Sequence, residues 1–180
     1  MTQALVIIDL QNDYFPGGKM ELVGTEAAAE KAGSVLAKFR DSGRPIFHMQ
    51  HLAAAPELGF FLPETEGAEI HASVKPENGE TVIQKYYPSS FRETDLEQRL
   101  RDQGIENVVF CGAMSHMCVD TTVRAAADLG FNCTLIDDAC ATRELDFEGK
   151  TVAAGDVQTA YMSALAFAFA NVIKANDLQL

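Results

Sequence analysis

The sequence predicts an α/β fold: a single-domain, three-layer sandwich with a mostly parallel sheet and helices on both faces. Short apolar runs alternate with longer amphipathic stretches along the chain, as repeated βαβ units require. The first run, ALVIIDL at residues 4–10, is nearly continuous in apolar character, like a strand covered on both faces. Glycines close the helical stretches, in Gly43-Arg44-Pro45 and at Gly104 and Gly130, where a left-handed residue stops a helix.

The elements follow in order. Residues 4–10 form a strand. Residues 26–40 carry helical periodicity through Ala29, Ala32, Val35, Leu36 and Phe39. Residues 45–50 form a second strand and 81–84 a short third. Thr94 and Glu97 have the spacing of a capping box, opening a helix that ends at Gly104. NVVFCG at 107–112 is a strand. Residues 118–129 form a helix with the stripe Val119, Val123, Ala126 and Leu129, and NCTLID at 132–137 is a strand. A long helix covers 152–170 and a last short strand 171–174. The stretch 51–80 is irregular, with scattered Gly and Pro, and is expected to be a lid or a subunit contact. There is no internal repeat and no low-complexity tract.

The 180 residues suit one domain, 1–180, with a core large enough to stand without disulfides. The formal net charge of -12 argues against nucleic acid and membrane surfaces as partners. No run reads as a transmembrane helix or signal peptide, so the expected compartment is the cytoplasm. Cys111, Cys118, Cys133 and Cys140 form no CxxC pair. Cys111, Cys133 and Cys140 are expected to be small buried hydrophobes.

Ligands of open parallel sheets bind beyond the carboxyl ends of the strands. Three reactive side chains fall there: Asp9 after the first strand, Lys85 after the third, and Cys118 where a strand-to-helix loop enters the next helix. Each has an ordinary alternative: a turn residue, a surface charge, a buried thiol. Together they supply a base, a cation and a nucleophile. A thiolate is favoured by a nearby cation and a helix N-terminus, so Lys85 is expected to lower the Cys118 pKa. Asp9 would take the thiol proton and return it to a departing amine. The loop 113–117 offers free N–H groups for an oxyanion.

These residues lie in three motifs: VIIDLQNDYF at 6–15, VIQKYYPSSF at 82–91 and CGAMSHMCVDTTVRAAADLGF at 111–131. In that order they resemble the isochorismatase-like cysteine hydrolases, a family that includes nicotinamidases and N-carbamoylsarcosine amidase. The resemblance spans nearly the whole chain. It implies an Asp–Lys–Cys triad on Asp9, Lys85 and Cys118. It also implies a non-proline cis peptide between Ala113 and Met114, and an oxyanion hole made by the N–H groups of Met114 and Cys118. Metal-binding nicotinamidases carry Asp-x-His after the second strand, whereas this chain has FHMQHLAAAP. His48, His51 and His71 are therefore weak ligand candidates, and neither a metal nor another cofactor is expected. Isochorismatases that cleave a vinyl ether lack the cysteine, so Cys118 points to acyl chemistry.

Gln11 and Asp13 are expected to organise the first loop. Phe15, His51, Tyr87 and His116 are candidate walls of the substrate pocket, and Arg143 a candidate partner for a substrate carboxylate or a neighbouring subunit. A homo-oligomer, dimer or larger, is expected from the resemblance and from the aromatic loop Phe60-Phe61-Leu62, which exposed to water would seek cover. The function read from all this is a cysteine hydrolase cleaving a C–N bond of a small amide or ureide through a thioester. The alternatives are hydrolysis of a non-amide bond on the same fold, and a thiol-based redox-sensing or binding domain.

Overall fold

The computed structural model describes residues 3–180. Its elements in chain order are β1 (Gln3–Ile8), α1 (Thr25–Asp41), β2 (Ile46–His51), β3 (Thr81–Lys85), α2 (Leu96–Asp102), β4 (Asn107–Ala113), α3 (Asp120–Asp128), β5 (Asn132–Ala141), β6 (Leu145–Phe147), β7 (Lys150–Val152), α4 (Ala154–Ala168) and β8 (Asn171–Ile173). Six strands make one sheet in the order β3-β2-β1-β4-β5-β8, every neighbouring pair parallel. This is the predicted α/β class.

Strand alternation sets the layers. Leu5 and Ile7 of β1 pack with Ala32, Val35, Leu36 and Phe39 of α1. Ala4, Val6 and Ile8 pack on the other face with Leu96 and Leu100 of α2, Val123 of α3 and Leu165 of α4. β1 is central and apolar on both faces because both are covered. The chain winds outward from β1 through β2 to β3, then returns to β1's other side at β4. That reversal opens a crevice beyond the carboxyl ends of β1 and β4.

Gly112, near the end of β4, is required there. Its φ is 131°, and a Cβ would lie 2.0 Å from the Ile8 carbonyl oxygen. The close approach of the two backbones brings the loop after β4 against the residue after β1.

Several local readings are corrected. α2 begins at Leu96, and Thr94 and Glu97 form no capping box. The Thr94 hydroxyl donates to the Ser90 carbonyl at 2.6 Å, and Glu97 pairs with Arg101 along the helix instead. β5 runs on to Ala141. The segment before α4 is an antiparallel hairpin of β6 and β7, so Val152 is strand and the helix starts at Ala154. The loop aromatics need no partner subunit: Phe60 is 8 % and Phe61 0 % exposed, both packed against Tyr14 of the same chain. That loop packs on its own chain, and the argument from it for an oligomer falls. Gln11 and Asp13 hold it down. The Gln11 amide donates to the carbonyls of His51 and Ala68, and the Asp13 carboxylate accepts from the Phe61 N–H at 2.6 Å.

On the α1 face, Glu80 bridges Arg40 at 2.6 Å and His48 at 2.8 Å. Burial alone would raise its pKa, but the Arg40 guanidinium, the Glu77 N–H and His48 together hold it at about 2. A carboxylate depressed from 4.5 contributes stability above its unfolded pKa and loses it as pH falls toward 2. Glu80→Gln is therefore expected to cost about 2–3 kcal/mol at pH 7. The difference should shrink below pH 4 and vanish near pH 2 in urea unfolding. An equal cost at both ends of the range would refute the charge assignment.

Candidate active site

Four strand ends deliver one cluster. Asp9 follows β1, His51 ends β2, Lys85 ends β3, and Cys118 lies in the turn after β4. Lys85 Nζ is 2.8 Å from Asp9 Oδ2. The charge attraction across this contact is the larger part of its effect on both groups. Lys85 also donates to the carbonyls of Tyr87 and Pro88, at 3.1 and 3.3 Å. His51 Nδ1 sits 3.3 Å from Lys85 Nζ, 3.5 Å from Asp9 Oδ2 and 3.6 Å from Cys118 Sγ. Asp9 and Lys85 are fully buried, Cys118 nearly so. Asp9 Oδ1 has no hydrogen-bond partner among the described residues.

The backbone aims these groups. Asp9 has φ 51°, a left-handed conformation unusual for a residue with a Cβ, which turns its carboxylate out of the strand and into the crevice. The Ala113–Met114 peptide is cis, as the sequence resemblance implies. Ser115–Val119 form a wide π-type turn ahead of α3, not the first turn of a regular helix as expected. The Ser115 hydroxyl ties that turn to the Ala141 carbonyl at 3.1 Å. The Met114 N–H makes no hydrogen bond within the described residues.

Burial raises the Asp9 carboxyl pKa, but the Lys85 ammonium and His51 outweigh it and hold the group below its ordinary value. Lys85 loses charge stability to burial and regains more from Asp9, so it stays protonated. The Cys118 thiol is raised, first by burial and then by the Asp9 charge, against the pull of Lys85. Lys85 does pull the thiol pKa down, as expected, but burial and Asp9 outweigh it. The ammonium already faces a carboxylate, and a second anion in the same dry site is unfavourable. The site at rest is an ion pair beside a neutral thiol.

A cavity of about 450 Å³ opens onto Cys118, walled by Tyr14, His51, Phe60, Tyr86 and Met117 among others. Of the four proposed walls, only His51 lines it. Phe15 stacks on His71 at 3.6 Å. Tyr87 lies under the Arg92 guanidinium. His116 turns back to Thr142 at 2.6 Å. In each case the sequence neighbour, Tyr14, Tyr86 or Met117, faces the cavity instead. Arg143 contacts Met20 and the Glu144 carbonyl and lies outside it.

The three histidines do not converge. His48 sits on the α1 face with Glu80, His71 pairs with Ser73, and His51 belongs to the cluster. Oxygen, nitrogen and sulfur atoms of Asp9, His51 and Cys118 approach one another within 4.8 Å. The Lys85 ammonium, against that same carboxylate and His51 Nδ1, supplies the positive charge there.

A sequence model of the isochorismatase domain matches residues 3–177. The chain belongs to the isochorismatase family. Within it, the chain is 50 % identical over 172 residues to the family protein YddQ of Bacillus subtilis, covering 96 % of each. It superposes on an isochorismatase of Pseudomonas putida with TM-score 0.92 at 36 % identity, over 98 % of this chain and 90 % of that one. Family members named for a reaction include a maleamate amidohydrolase of Pseudomonas putida, 29 % identical over 79 % of this chain and 74 % of its own. Another is a ureidoacrylate amidohydrolase of Variovorax paradoxus, 30 % identical over 79 % and 69 %. The isochorismatase family supports hydrolase chemistry for the chain. No helix among the described residues is long and apolar enough to cross a membrane.

Proposed function

We propose that the chain hydrolyses the C–N bond of a small amide or ureide through a thioester on Cys118. The observation that carries this reading is the buried Asp9–Lys85 ion pair gathered with His51 beside Cys118, a residue that lines a cavity.

The Cys118 proton passes to Asp9 as sulfur bonds to the carbonyl carbon, so charge builds on the substrate oxygen and not on a free thiolate. The unpaired N–H of Met114, with that of Cys118, faces that oxygen and stabilises it. The C–N bond then breaks, nitrogen takes the proton from Asp9, and the amine leaves. Asp9 next takes a proton from water, whose oxygen bonds to the thioester carbon. The C–S bond breaks and sulfur regains the proton, releasing the acid. Lys85 keeps Asp9 ionised between steps. His51 orders the cluster, touching all three groups.

The amidohydrolase relatives support C–N cleavage. Burial and the raised thiol pKa count against a redox sensor, which needs an accessible low-pKa cysteine. The four cysteines are unpaired, which fits a reducing compartment and so the cytoplasm.

Ammonia release from a panel of primary amides and ureides tests the proposal, with intact-mass detection of an acyl adduct confined to Cys118. No ammonia and no adduct across the panel would overturn it.

A further inference from the structure

We infer that the substrate is the primary amide of an uncharged, apolar acyl group, of a size near a phenyl ring on a short chain. This rests on the amide-hydrolase reading and specifies it.

Beyond the reacting groups, the cavity is walled by Ala54, Ala55, Leu58, Phe60, Pro88 and Met114. The only polar side chains among its lining residues are Cys118, His51, Tyr14 and Tyr86. No Lys or Arg lines it. Lys85, the nearest cation, is already engaged by Asp9, Tyr87 and Pro88. Arg92 lies over the Tyr87 ring, and Arg143 over Met20. A carboxylate on the substrate would enter without a counter-ion, beside the Asp9 charge, in a protein of net charge -12. An unpaired charge in such a place is strongly disfavoured.

The two ends of the site differ in room. Asp9, which hands the proton to the leaving nitrogen, is 0 % exposed and lies behind the wall next to Cys118. With no open space on the Asp9 side, the inferred leaving group is ammonia. The open end is framed by Leu58, Tyr86 and Met117, which are 44 %, 46 % and 42 % exposed. These large apolar side chains at the mouth receive the acyl tail. An apolar hole of roughly 150 Å³ already holds benzene, so about 450 Å³ holds a ring and its linker.

The test compares 3-phenylpropanamide with succinamate, which replaces the ring by a carboxylate, and runs the series acetamide, butanamide, hexanamide. We expect kcat/KM to rise about fourfold per buried methylene and to favour 3-phenylpropanamide over succinamate by about 100-fold or more. Met117→Lys should narrow that gap at least tenfold by placing a cation at the mouth. Binding to Cys118→Ala, followed by thermal shift, reads the cavity without the chemistry, and 3-phenylpropanamide alone should raise Tm. Succinamate cleaved as well as 3-phenylpropanamide overturns the substrate class and leaves the amide-hydrolase reading standing. Stabilisation of Cys118→Ala by 3-phenylpropanamide with no amide cleaved by the wild type overturns that reading and keeps the apolar assignment. Equal shifts with both compounds, or none with 3-phenylpropanamide, overturn the assignment.

Discussion

Cys118→Ala is expected to lower amide turnover by about 10⁴-fold or more, with residual rate only from binding and the N–H groups around the carbonyl oxygen. The fold should survive. The side chain is buried, but it faces a cavity, so the substitution enlarges an existing space instead of opening a new one. The expected destabilisation is about 1 kcal/mol, below the range for larger core truncations. Removing the sulfur also frees the Asp9–Lys85 pair from its neighbour without unpairing it. Alkylation should single out the same residue. Cys118 is the cysteine that lines this cavity and lies against His51 and Asp9, where an amide-mimicking reagent is held. Cys111, Cys133 and Cys140 are buried away from that cluster. A variant that keeps turnover within tenfold of the wild type, or an adduct on Cys111 or Cys133, would remove Cys118 from the mechanism.

The sheet was legible because its strands are covered on both faces and so read as unbroken apolar runs, with glycines marking the helix ends. Asp9, Lys85 and Cys118 were legible for a related reason. A parallel sheet brings the carboxyl ends of its strands to one side, so position in the chain stands in for position in space. What failed depends on contacts between distant residues. Phe61 looked like an exposed aromatic because nothing nearby covers it; its cover is Tyr14, and its N–H is held by Asp13, 48 positions away. Thr94 and Glu97 had capping spacing, but the Thr94 hydroxyl found the Ser90 carbonyl first. The β6–β7 hairpin turns on Glu148 and Gly149, with φ 49° and 75°. Asn-Gly or Asp-Gly would have signalled such a turn; Glu-Gly does so weakly. The pocket walls were misread by one residue at three places because irregular turns set which neighbour faces in. His116, Met117 and Cys118 occupy a π-type turn, where helical spacing gives no guide.

Lys85→Met is expected to lower kcat/KM at pH 7 by about 10²-fold or more and to move the acid limb of the pH profile upward. The active form carries Asp9 as a carboxylate. In the wild type Lys85 and His51 overcome the effect of burial and hold that carboxyl below its ordinary value. Activity should therefore run flat through neutral pH and fall only below the usual carboxylate range. Without Lys85 the largest influence on Asp9 is burial, which raises its pKa. The carboxyl then takes up its proton at higher pH, so the variant loses more activity at pH 5 than at pH 8. Stability separates this role from simple packing. Breaking one side of a buried ion pair costs about 3–5 kcal/mol because the other charge is stranded. Lys85→Met should fall in that range at neutral pH and lose less in acid, where Asp9 is neutral. Adding Asp9→Asn to Lys85→Met removes the stranded charge. The double variant should recover at least half of the lost stability, by urea unfolding, yet stay inactive because no base remains. The groups titrate as a set, so the profile reports the cluster and not one residue. An acid limb unmoved by Lys85→Met would show that Lys85 does not set the charge of Asp9, and would leave its place in the site purely structural.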